Sequence, residues 1–356
     1  MSGLDDVIAA ETRLSEVDGL NGRLVISGHT LDELAGNRSF EDVLALLAGD
    51  MLPTGSALAT RLGAARLRAF AEVAWLDDAI LGLSITEGLR ALMARLHDGE
   101  DADTALLLAA APAVFVPALV RRRAGLAAIA LDPSLGHAAD MLTMLKGRVP
   151  SKVEVLALDT YLVTVSDHGL NASTFAARVV ASTRAGYTSA MLAAIGALKG
   201  PLHGGAPGPV LDMLDAVGAP NKARDWIANA LAHGERLMGF GHRIYRVRDP
   251  RADALKAALA RLGAAGEIDG QRLELAEAVE REALAQLKAK KPDRPLETNV
   301  EFFTALLLEA LGFPREAFTG VFAAGRVSGW LAHAHEQIEG GRLIRPQSRY
   351  VGPKAA

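Results

Sequence analysis

The stretch GPLHGGAPGPVLDML, residues 200–214, combines a histidine with glycines and prolines in an order that suits ligand binding. His203 lies between a proline-leucine pair and two glycines, so little side-chain bulk would crowd a bound molecule. Pro207 and Pro209 suit a first helical turn, where a missing N–H costs little. His203 is therefore predicted just before a helix N-terminus, whose positive end favours a neutral imidazole donor. On this stretch alone, a structural turn before an ordinary helix is the alternative.

Two further stretches carry groups that could act as acid or base. His242 follows glycine in GFGHR, residues 239–243, and two histidines in glycine-framed turns suggest close approach of the backbone to a ligand. Glu301 follows Thr298 at the spacing of a capping box, in which its carboxylate would accept from the Thr298 N–H. Taken alone, these patterns favour a structural turn and a helix cap.

Three arginines lie close to glycine or proline and could hold an anion: Arg251 in DPR, Arg326 in AAGRVSG and Arg345 in IRPQS. Arg326 is the strongest candidate, because an arginine among the small apolar residues of a helix needs an anionic partner or a water-filled site. A zinc site is not expected, since His333 and His335 are two residues apart and do not share a helix face.

The composition restricts the classes of protein to which the chain can belong. It has 356 residues, half of them apolar, a net charge of −4 and no cysteine. Disulfides, thiolate catalysis and cysteine-ligated metals are therefore excluded. The arginine triplet at 121–123 follows an apolar segment and is predicted as the last turn of a helix. Since no basic run resembles a nucleic-acid arm, no nucleic-acid partner is expected.

The N-terminus and the longest apolar run predict a cytoplasmic protein with no membrane partner. The first residues, MSGLDDVIAAETRL, are acidic and lack an apolar signal core. The apolar run at 105–120 contains Pro112 and Pro117, which are predicted to break it, and the run is too short to span a bilayer.

The abundance of alanine and leucine and the scarcity of aromatic residues favour a mainly helical protein. Asp-Gly and Asn-Gly pairs predict a hairpin around residues 23–27, and helices are predicted to begin at Thr30 and Ser39. His97 and His137 lie at helix ends or in linkers and are predicted at the surface or in caps. Further helices are predicted over residues 55–73, 85–97, 102–122, 152–165, 173–185, 188–199, 223–235, 269–290, 299–312 and 318–340.

Taken together, five segments resemble the citrate synthase family in the order and at the spacing of that family: SDHGLNASTFAARVVAST, GALKGPLHGGA, GFGHRIYRVRDPRA, NVEFFTALLLEALG and FAAGRVSGWLAHAHEQI. The early segments GRLVISGH and SFEDVLALLAGDMLPT are similar to the N-terminal sequence of the same family. The resemblance implies an all-α citrate synthase fold that forms a homodimer. It also implies a large helical domain over residues 1–207 and 312–356, with a smaller inserted helical domain over residues 208–311.

The resemblance assigns roles to the candidate residues. His203 would hydrogen-bond the thioester carbonyl of acetyl-CoA, and His242 would polarise the ketone of oxaloacetate and supply a proton. Arg246, which follows His242 by four residues, corresponds to a basic position near the CoA phosphates. The carboxylates of oxaloacetate would be held by His168, Arg251, Arg326 and, from across the dimer, Arg345.

The chain departs from the family pattern at the catalytic base, where the family has an aspartate and this sequence has Glu301. Glutamate has a similar intrinsic pKa but is one methylene longer, and a displacement of about 1 Å can cost on the order of a hundredfold in rate. Pro207 also replaces the usual asparagine after HGGA. A compensating backbone shift, an altered acyl-CoA or keto-acid substrate, and a weakened enzyme are all compatible with these changes.

The expected reaction is a Claisen-type condensation of acetyl-CoA with oxaloacetate, followed by hydrolysis of the bound thioester to citrate and CoA. Such chemistry needs a carboxylate base, a donor at the carbonyl oxygen and several guanidinium groups for a dicarboxylate. It requires no metal and no permanently bound cofactor, and an acyl-CoA is the co-substrate. The alternatives are a 2-methylcitrate synthase that uses propionyl-CoA, and a weakly active or non-catalytic paralogue that binds CoA or a dicarboxylate.

Overall fold

The computed structural model describes residues 7–204, 207–242, 244–245, 247–290, 292 and 296–353. Helices make up most of these residues, which confirms the predicted all-α class, and the paired strands form a small N-terminal sheet. The strands are β1 (Ser15–Asp18), β2 (Arg23–Ile26) and β3 (His29–Thr30). The helices are α1 (Leu31–Leu34), α2 (Phe40–Ala48), α3 (Gly55–Ala71), α4 (Asp78–Leu81), α5 (Ile85–Met93), α6 (Ala102–Arg123), α7 (His137–Lys146), α8 (Lys152–Thr164), α9 (Ala172–Ala181), α10 (Tyr187–Leu198), α11 (Pro207–Val217), α12 (Ala223–Ala232), α13 (Pro250–Ala264), α14 (Gly270–Lys290), α15 (Val300–Ala310) and α16 (Phe318–Gly340).

Side-chain caps fix where many of these helices begin. Ser39 accepts a hydrogen bond from the Asp42 N–H at 3.2 Å, and the Asp42 carboxylate accepts from the Ser39 N–H at 3.0 Å. Ser151 and Glu154 make the same reciprocal pair at the start of α8. Such pairs satisfy backbone donors that a helix start leaves without an intrahelical partner. The helix starts predicted at Thr30 and Ser39 are confirmed.

Helix α6 lies at the centre of the core. Every side chain from Ala105 to Leu119 is buried, and the helix packs against α3, α5, α7 and α16. The helix predicted over residues 102–122 is confirmed, whereas the predicted break of its apolar run at Pro112 and Pro117 is wrong, because both prolines lie inside one continuous helix. Burial of the surrounding side chains offsets the hydrogen bonds that the two prolines cannot make.

The same helix corrects the expectation that this segment is too short to span a bilayer. By length and composition α6 is able to cross a membrane, but its most apolar 18-residue window is 83% buried inside the protein. Within the described ranges, the segments Phe40–Met51 and Gly55–Trp75 meet the same criterion only as a pair, across a bend of 98°. The position of α6 among other helices accounts for its all-round apolar surface.

The N-terminal hairpin predicted from the Asp-Gly and Asn-Gly pairs is confirmed. Strands β1 and β2 pair antiparallel, with Asp18 opposite Arg23 next to the turn. The Asp18 carboxylate accepts from the N–H groups of Leu20 at 3.1 Å and Asn21 at 3.0 Å, which closes the turn. Strand β3 pairs with the end of β2 and was not predicted.

Helices α9 and α12 end earlier than predicted because left-handed residues follow them. After α9 stops at Ala181, Arg184 with φ 61° and Gly186 with φ 91° turn the chain toward α10. After α12 stops at Ala232, Gly234 adopts φ 75°. A left-handed arginine is not foreseeable from its type, since non-glycine residues seldom adopt that region.

His137 lies at a helix end, as predicted, but it is buried, so its predicted surface position is wrong. It begins α7, and its ring stacks on Phe40 with centroids 4.3 Å apart. The backbone N–H of His137 donates to the Glu41 carboxylate at 2.7 Å. Burial lowers the pKa of the ring well below its usual value, so the neutral imidazole packs as an apolar group. His97 is exposed, as predicted.

The segment predicted as the small domain contains α11 to α15. Helices α11 and α13 each pack against α15, and α12 packs against α14. Helix α13 also packs against α8, so contacts cross the predicted domain boundary. The division into two domains stays a prediction.

Candidate active site

Six candidate residues lie on loops, at helix starts or in a helix, and two of them, His242 and Glu301, line one cleft. His168, His203 and His242 lie on the loops after α8, α10 and α12. Arg251 and Glu301 lie at the starts of α13 and α15, and Arg326 lies in α16.

Two glycines place His242 in a tight turn. Gly239 and Gly241 have φ angles of 85° and 81°, a region that favours glycine. The Gly239 carbonyl accepts from the Asn299 N–H at 2.9 Å, and the Gly241 N–H donates to the Glu297 carbonyl at 2.7 Å. The turn is thereby fixed to the segment that leads into α15.

Hydrogen bonds from the backbone determine which nitrogen of His242 carries the proton. Its Nδ1 accepts from the N–H groups of Ile244 and Tyr245, both at 3.0 Å. A neutral imidazole that accepts at Nδ1 carries its proton on Nε2. Burial, and then the nearby Arg251, lower the pKa of His242 to about 4, so the ring is neutral at pH 7. His242 is therefore a neutral donor through Nε2.

The donor atom of His242 converges with a guanidinium group. Nη2 of Arg251 lies 3.1 Å from Nε2 of His242. A guanidinium group only donates, so with the His242 proton on Nε2 this contact sets two donors against each other. An oxygen atom bound beside them would accept from both. The buried Asp249 carboxylate holds Arg251 from the other side, 3.0 Å from its Nε and 2.8 Å from its Nη2. Asp249 also accepts from the Val300 N–H at 3.2 Å, which joins the starts of α13 and α15.

His168 lies against the same loop. Its Nε2 is 3.0 Å from the hydroxyl of the buried Tyr245, and its ring centroid is 6.0 Å from that of His242. Burial, and then Arg251 and Arg326, lower the pKa of His168 well below its usual value. His168 is therefore a second neutral imidazole beside two cations.

Arg326 is buried in α16, with 1% of its surface exposed. Its Nε donates to the Val165 carbonyl just after α8, and its Cζ lies 4.9 Å from the centroid of the Phe322 ring. Gly325 permits this close packing, since a Cβ there would lie 2.5 Å from Cγ2 of Val165. Burial lowers the pKa of Arg326 to about 10, which leaves a cation at neutral pH. An anionic ligand would stabilise this buried charge.

The predicted capping box at Thr298 and Glu301 is wrong. The N-cap of α15 is Asn299, whose side-chain oxygen accepts from the Glu301 N–H at 3.0 Å. The Thr298 hydroxyl donates instead to the buried Glu280 carboxylate at 2.9 Å. Asparagine is among the strongest N-cap residues, which explains why the helix starts one residue later. The Glu301 carboxylate is thus left without a capping role.

The environment of Glu301 makes its carboxylate basic. Burial, aided by the Asp249 charge, raises its pKa to about 7, while Arg251 and Arg326 act in the opposite direction. None of the described residues donates a hydrogen bond to this carboxylate. A carboxylate with a pKa near the working pH is suited to accept a proton.

His203 precedes α11, which begins at Pro207 as predicted. Its Nε2 lies 2.8 Å from the Ser173 hydroxyl, which also accepts from the Trp330 indole N–H at 3.1 Å. Burial, and then Arg326, lower the pKa of His203 to about 4. The ring is neutral at pH 7, and burial rather than the helix terminus is the leading cause.

A cleft of about 740 Å³ is lined by Leu202, Phe240, His242, Asn299 and Glu301 among other residues. The acid candidate His242 and the base candidate Glu301 therefore line the same cleft, and Arg251 contacts His242.

Two of the predicted site residues are not part of this arrangement. Arg345 is exposed in the tail after α16 and lines a separate cavity of about 940 Å³ with Arg178 and Glu336. Arg246 lies outside the described residues. The structure of one chain therefore gathers the three histidines, Glu301 and two of the three predicted carboxylate-binding arginines.

Four residues that contact the candidates were not singled out from the sequence: Ser173, Tyr245, Asp249 and Asn299. Asp249 and Asn299 are N-caps of α13 and α15, and polar residues are common at such positions for purely structural reasons. The contact of Tyr245 with His168 joins two loops that are distant in the chain. The proline after Asp249, which marks a helix start, was the one local signal for its position.

Fold and site define a helical enzyme with neutral imidazole donors, a basic carboxylate and buried arginines. Comparison with known proteins identifies the family of this enzyme. The family model of the citrate synthase C-terminal domain matches residues 3–347. A citrate synthase of Haloferax volcanii is 39% identical over 380 residues, which cover 99% of this chain and 96% of the relative. A 2-methylcitrate synthase of Mycobacterium tuberculosis is 37% identical over 367 residues, which cover 98% of this chain and 90% of the relative.

Solved structures agree with the family match. Citrate synthase from Thermotoga maritima superposes with a TM-score of 0.85 at 32% identity, over 100% of this chain and 96% of that one. Citrate synthase from Thermoplasma acidophilum, solved as a ternary complex with carboxymethyl coenzyme A and oxaloacetate, superposes with a TM-score of 0.84 at 29% identity, over 99% of this chain and 96% of that one. The chain belongs to the citrate synthase family.

Proposed function

We propose that this protein condenses acetyl-CoA with oxaloacetate to give citrate and free CoA. The observation that carries the proposal is Glu301, a carboxylate with a pKa of about 7 in the same cleft as the neutral donor His242. A base of this pKa is suited to removing a proton from a thioester methyl group near pH 7. The relative that binds carboxymethyl coenzyme A together with oxaloacetate supports this pair of substrates.

In the first step Glu301 takes a proton from the methyl group of acetyl-CoA. The charge that develops on the thioester oxygen is stabilised by a hydrogen bond from His203. Since Nε2 of His203 lies against the Ser173 hydroxyl, Nδ1 is the nitrogen available to the substrate. The Ser173 hydroxyl also lies 2.8 Å from the side-chain oxygen of Asn171, which is an acceptor. Nδ1 of His203 therefore carries the proton only when the hydroxyl donates to Nε2 of His203 instead of to Asn171.

In the second step the resulting carbon nucleophile attacks the ketone carbon of oxaloacetate. The ketone oxygen occupies the point where Nε2 of His242 and Nη2 of Arg251 converge, and it takes up the proton of His242 as the carbon–carbon bond forms. Arg251, Arg326 and His168 bind the carboxylates. Water then hydrolyses the thioester, which releases CoA and leaves a third carboxylate on the product.

The active form in this proposal is a homodimer. Arg345 lies in an exposed tail away from the cleft of its own chain, and a residue so placed is available to the site of a second copy. This arrangement completes the set of arginines that a dicarboxylate substrate requires. Arg246, near the CoA phosphates, is assigned by family resemblance alone.

The test is release of free CoA with oxaloacetate and either acetyl-CoA or propionyl-CoA. Because the chain has no cysteine, a thiol reagent reports CoA without reaction with the protein. The proposal predicts release that depends on oxaloacetate and is most efficient with acetyl-CoA. A higher kcat/KM with propionyl-CoA would assign the protein as a 2-methylcitrate synthase, and no release with either would point to a non-catalytic paralogue.

A further inference from the structure

The turn of the N-terminal hairpin lies directly against the loop that follows His242. A Cβ at Gly19 would lie 2.5 Å from the Ile244 carbonyl oxygen and 2.8 Å from Cγ2 of the same residue. A Cβ at Gly22 would lie 2.8 Å from Cγ2 of Val247. Distances this short leave no room for a side chain at either glycine. The backbone of the turn therefore packs directly against Ile244 and Val247.

The same hairpin touches the loop that carries His168. The Ser15 hydroxyl, at the start of β1, accepts from the Gly169 N–H at 3.0 Å. A Cβ at Gly169 would lie 3.4 Å from Cγ2 of Val17, which is ordinary contact. One small sheet therefore rests against both loops that bring a histidine to the oxaloacetate site.

The contact at Gly19 bears on the chemistry of His242. Ile244, which Gly19 touches, is also the residue whose N–H donates to Nδ1 of His242 at 3.0 Å. A shift of Ile244 would lengthen this bond and would also displace Tyr245, the next residue in the chain, whose N–H makes the second bond to Nδ1. The preference of the His242 proton for Nε2 would thereby weaken.

We infer that the turn at residues 19–22 is a positioning element for His242, which holds Ile244 and Val247 in place so that the amides of Ile244 and Tyr245 keep the imidazole proton on Nε2. The reaction that this proton serves rests on the proposed function, whereas the tautomer of the free protein does not. The glycines touch no substrate and act only through the loop.

The first test is Gly19→Ala. Gly19 is not in the left-handed region, so alanine adds steric contact without backbone strain. Nitrogen-15 NMR of labelled histidine, with His242 assigned from the spectrum of His242→Gln, reports the tautomer in the free protein at pH 7. We expect a loss of the Nε2–H form of His242 and a decrease in kcat of about tenfold to a hundredfold, as small displacements of catalytic groups give.

Two variants serve as controls. Leu20→Ala changes a side chain in the same turn that is 74% exposed, and Gly270→Ala adds a methyl group where nothing lies within 4 Å. Both should leave the tautomer and kcat of the wild type unchanged. A wild-type tautomer and a kcat within about twofold of wild type in folded Gly19→Ala would overturn the inference.

Ser15→Ala provides an independent variant if Gly19→Ala does not fold. It removes the acceptor for the Gly169 N–H, so the loop of His168 should loosen and the KM for oxaloacetate should rise severalfold with little change in kcat. An unchanged KM would contradict the role of the hairpin. A wild-type protein with the Nε2–H tautomer but no condensation activity would contradict the proposed function and leave this inference standing.

Discussion

Glu301 owes its basicity to burial more than to any single neighbour. Burial is the leading cause that raises its pKa from 4.5 to about 7, and the Asp249 charge adds to it. A carboxylate whose pKa is raised on folding binds its proton more tightly in the folded state. Its contribution to stability is therefore full below pH 4.5 and is lost as the pH rises through about 7.

Replacing Glu301 by glutamine removes this dependence on pH. The free energy of unfolding of the wild type, taken relative to Glu301→Gln, should fall by about 1–3 kcal/mol between pH 4 and pH 8. Urea unfolding at several pH values measures this difference, and the neighbouring histidines contribute nearly equally to both proteins. Glu274→Gln, at an exposed position on α14, should give no such trend. A relative stability of Glu301→Gln that is independent of pH would show that the carboxylate is not buried as described.

The buried arginines should account for the affinity for oxaloacetate. Removing the guanidinium in Arg326→Ala or Arg251→Ala leaves a substrate carboxylate unpaired in a closed site, which costs about 2–5 kcal/mol of binding free energy. Calorimetry with oxaloacetate measures the loss, and Arg68→Ala, at an exposed position on α3, is the control with the same change of charge. Unchanged affinity in both buried variants would remove these residues from the site.

The turn of His242 and the start of α15 form one rigid unit. An isolated β-bridge pairs Phe240 with Thr298, and the Asn299 side-chain amide donates to the Gly241 carbonyl at 2.8 Å. Asn299 also caps the helix that carries Glu301. The acid and the base are therefore held at a fixed separation by a few short hydrogen bonds.

Asn299→Ala should loosen this unit. Loss of the cap costs about 1 kcal/mol of the free energy of unfolding. The value of kcat should also fall, because His242 and Glu301 are no longer held at a fixed separation. Ser84→Ala removes the cap of α5, away from the site, and should lower stability by a similar amount with kcat unchanged. Equal kcat in the two variants would show that Asn299 is a cap and nothing more.

Local sequence patterns predicted the elements better than their contacts. Helix α16 was predicted with its observed bounds and the hairpin with its turn, because periodicity and turn residues act over a few neighbours. Asparagine is a common N-cap, but the contact that engages the Thr298 hydroxyl comes from Glu280 on another helix, which a short pattern does not contain. Helix α6 was predicted close to its observed bounds, whereas its continuity through two prolines depends on packing. Residue types and family resemblance identified the histidines and arginines, whereas Tyr245 and the Gly19 contact join segments far apart in the chain.

At the scale of the whole molecule, the proposal is that Arg345 completes the active site of a second copy of the chain. Its position in an exposed tail predicts that an isolated chain has an incomplete set of carboxylate-binding groups. Sedimentation should show a dimer at micromolar concentration, and a folded monomer with full activity would contradict this arrangement.

Mixing two inactive variants tests the shared site directly. Glu301→Gln keeps Arg345, and Arg345→Ala keeps Glu301, so a mixed dimer contains one complete site. After dissociation and reassociation, an equal mixture should recover about a quarter of wild-type activity, since half of the random dimers are mixed and each has one complete site. If each chain supplies its own Arg345, mixing will restore no activity.

The central claim, that Glu301 is the base, is tested most directly by exchange of the methyl protons of acetyl-CoA in heavy water, with oxaloacetate or an unreactive analogue bound. The wild type should exchange these protons, with a rate that rises with pH through about 7. Glu301→Asp, which keeps a carboxylate, should retain slow exchange. Glu301→Gln should abolish it while oxaloacetate affinity and fold stay intact, because an amide does not accept the proton. Exchange at the wild-type rate in Glu301→Gln would contradict the account.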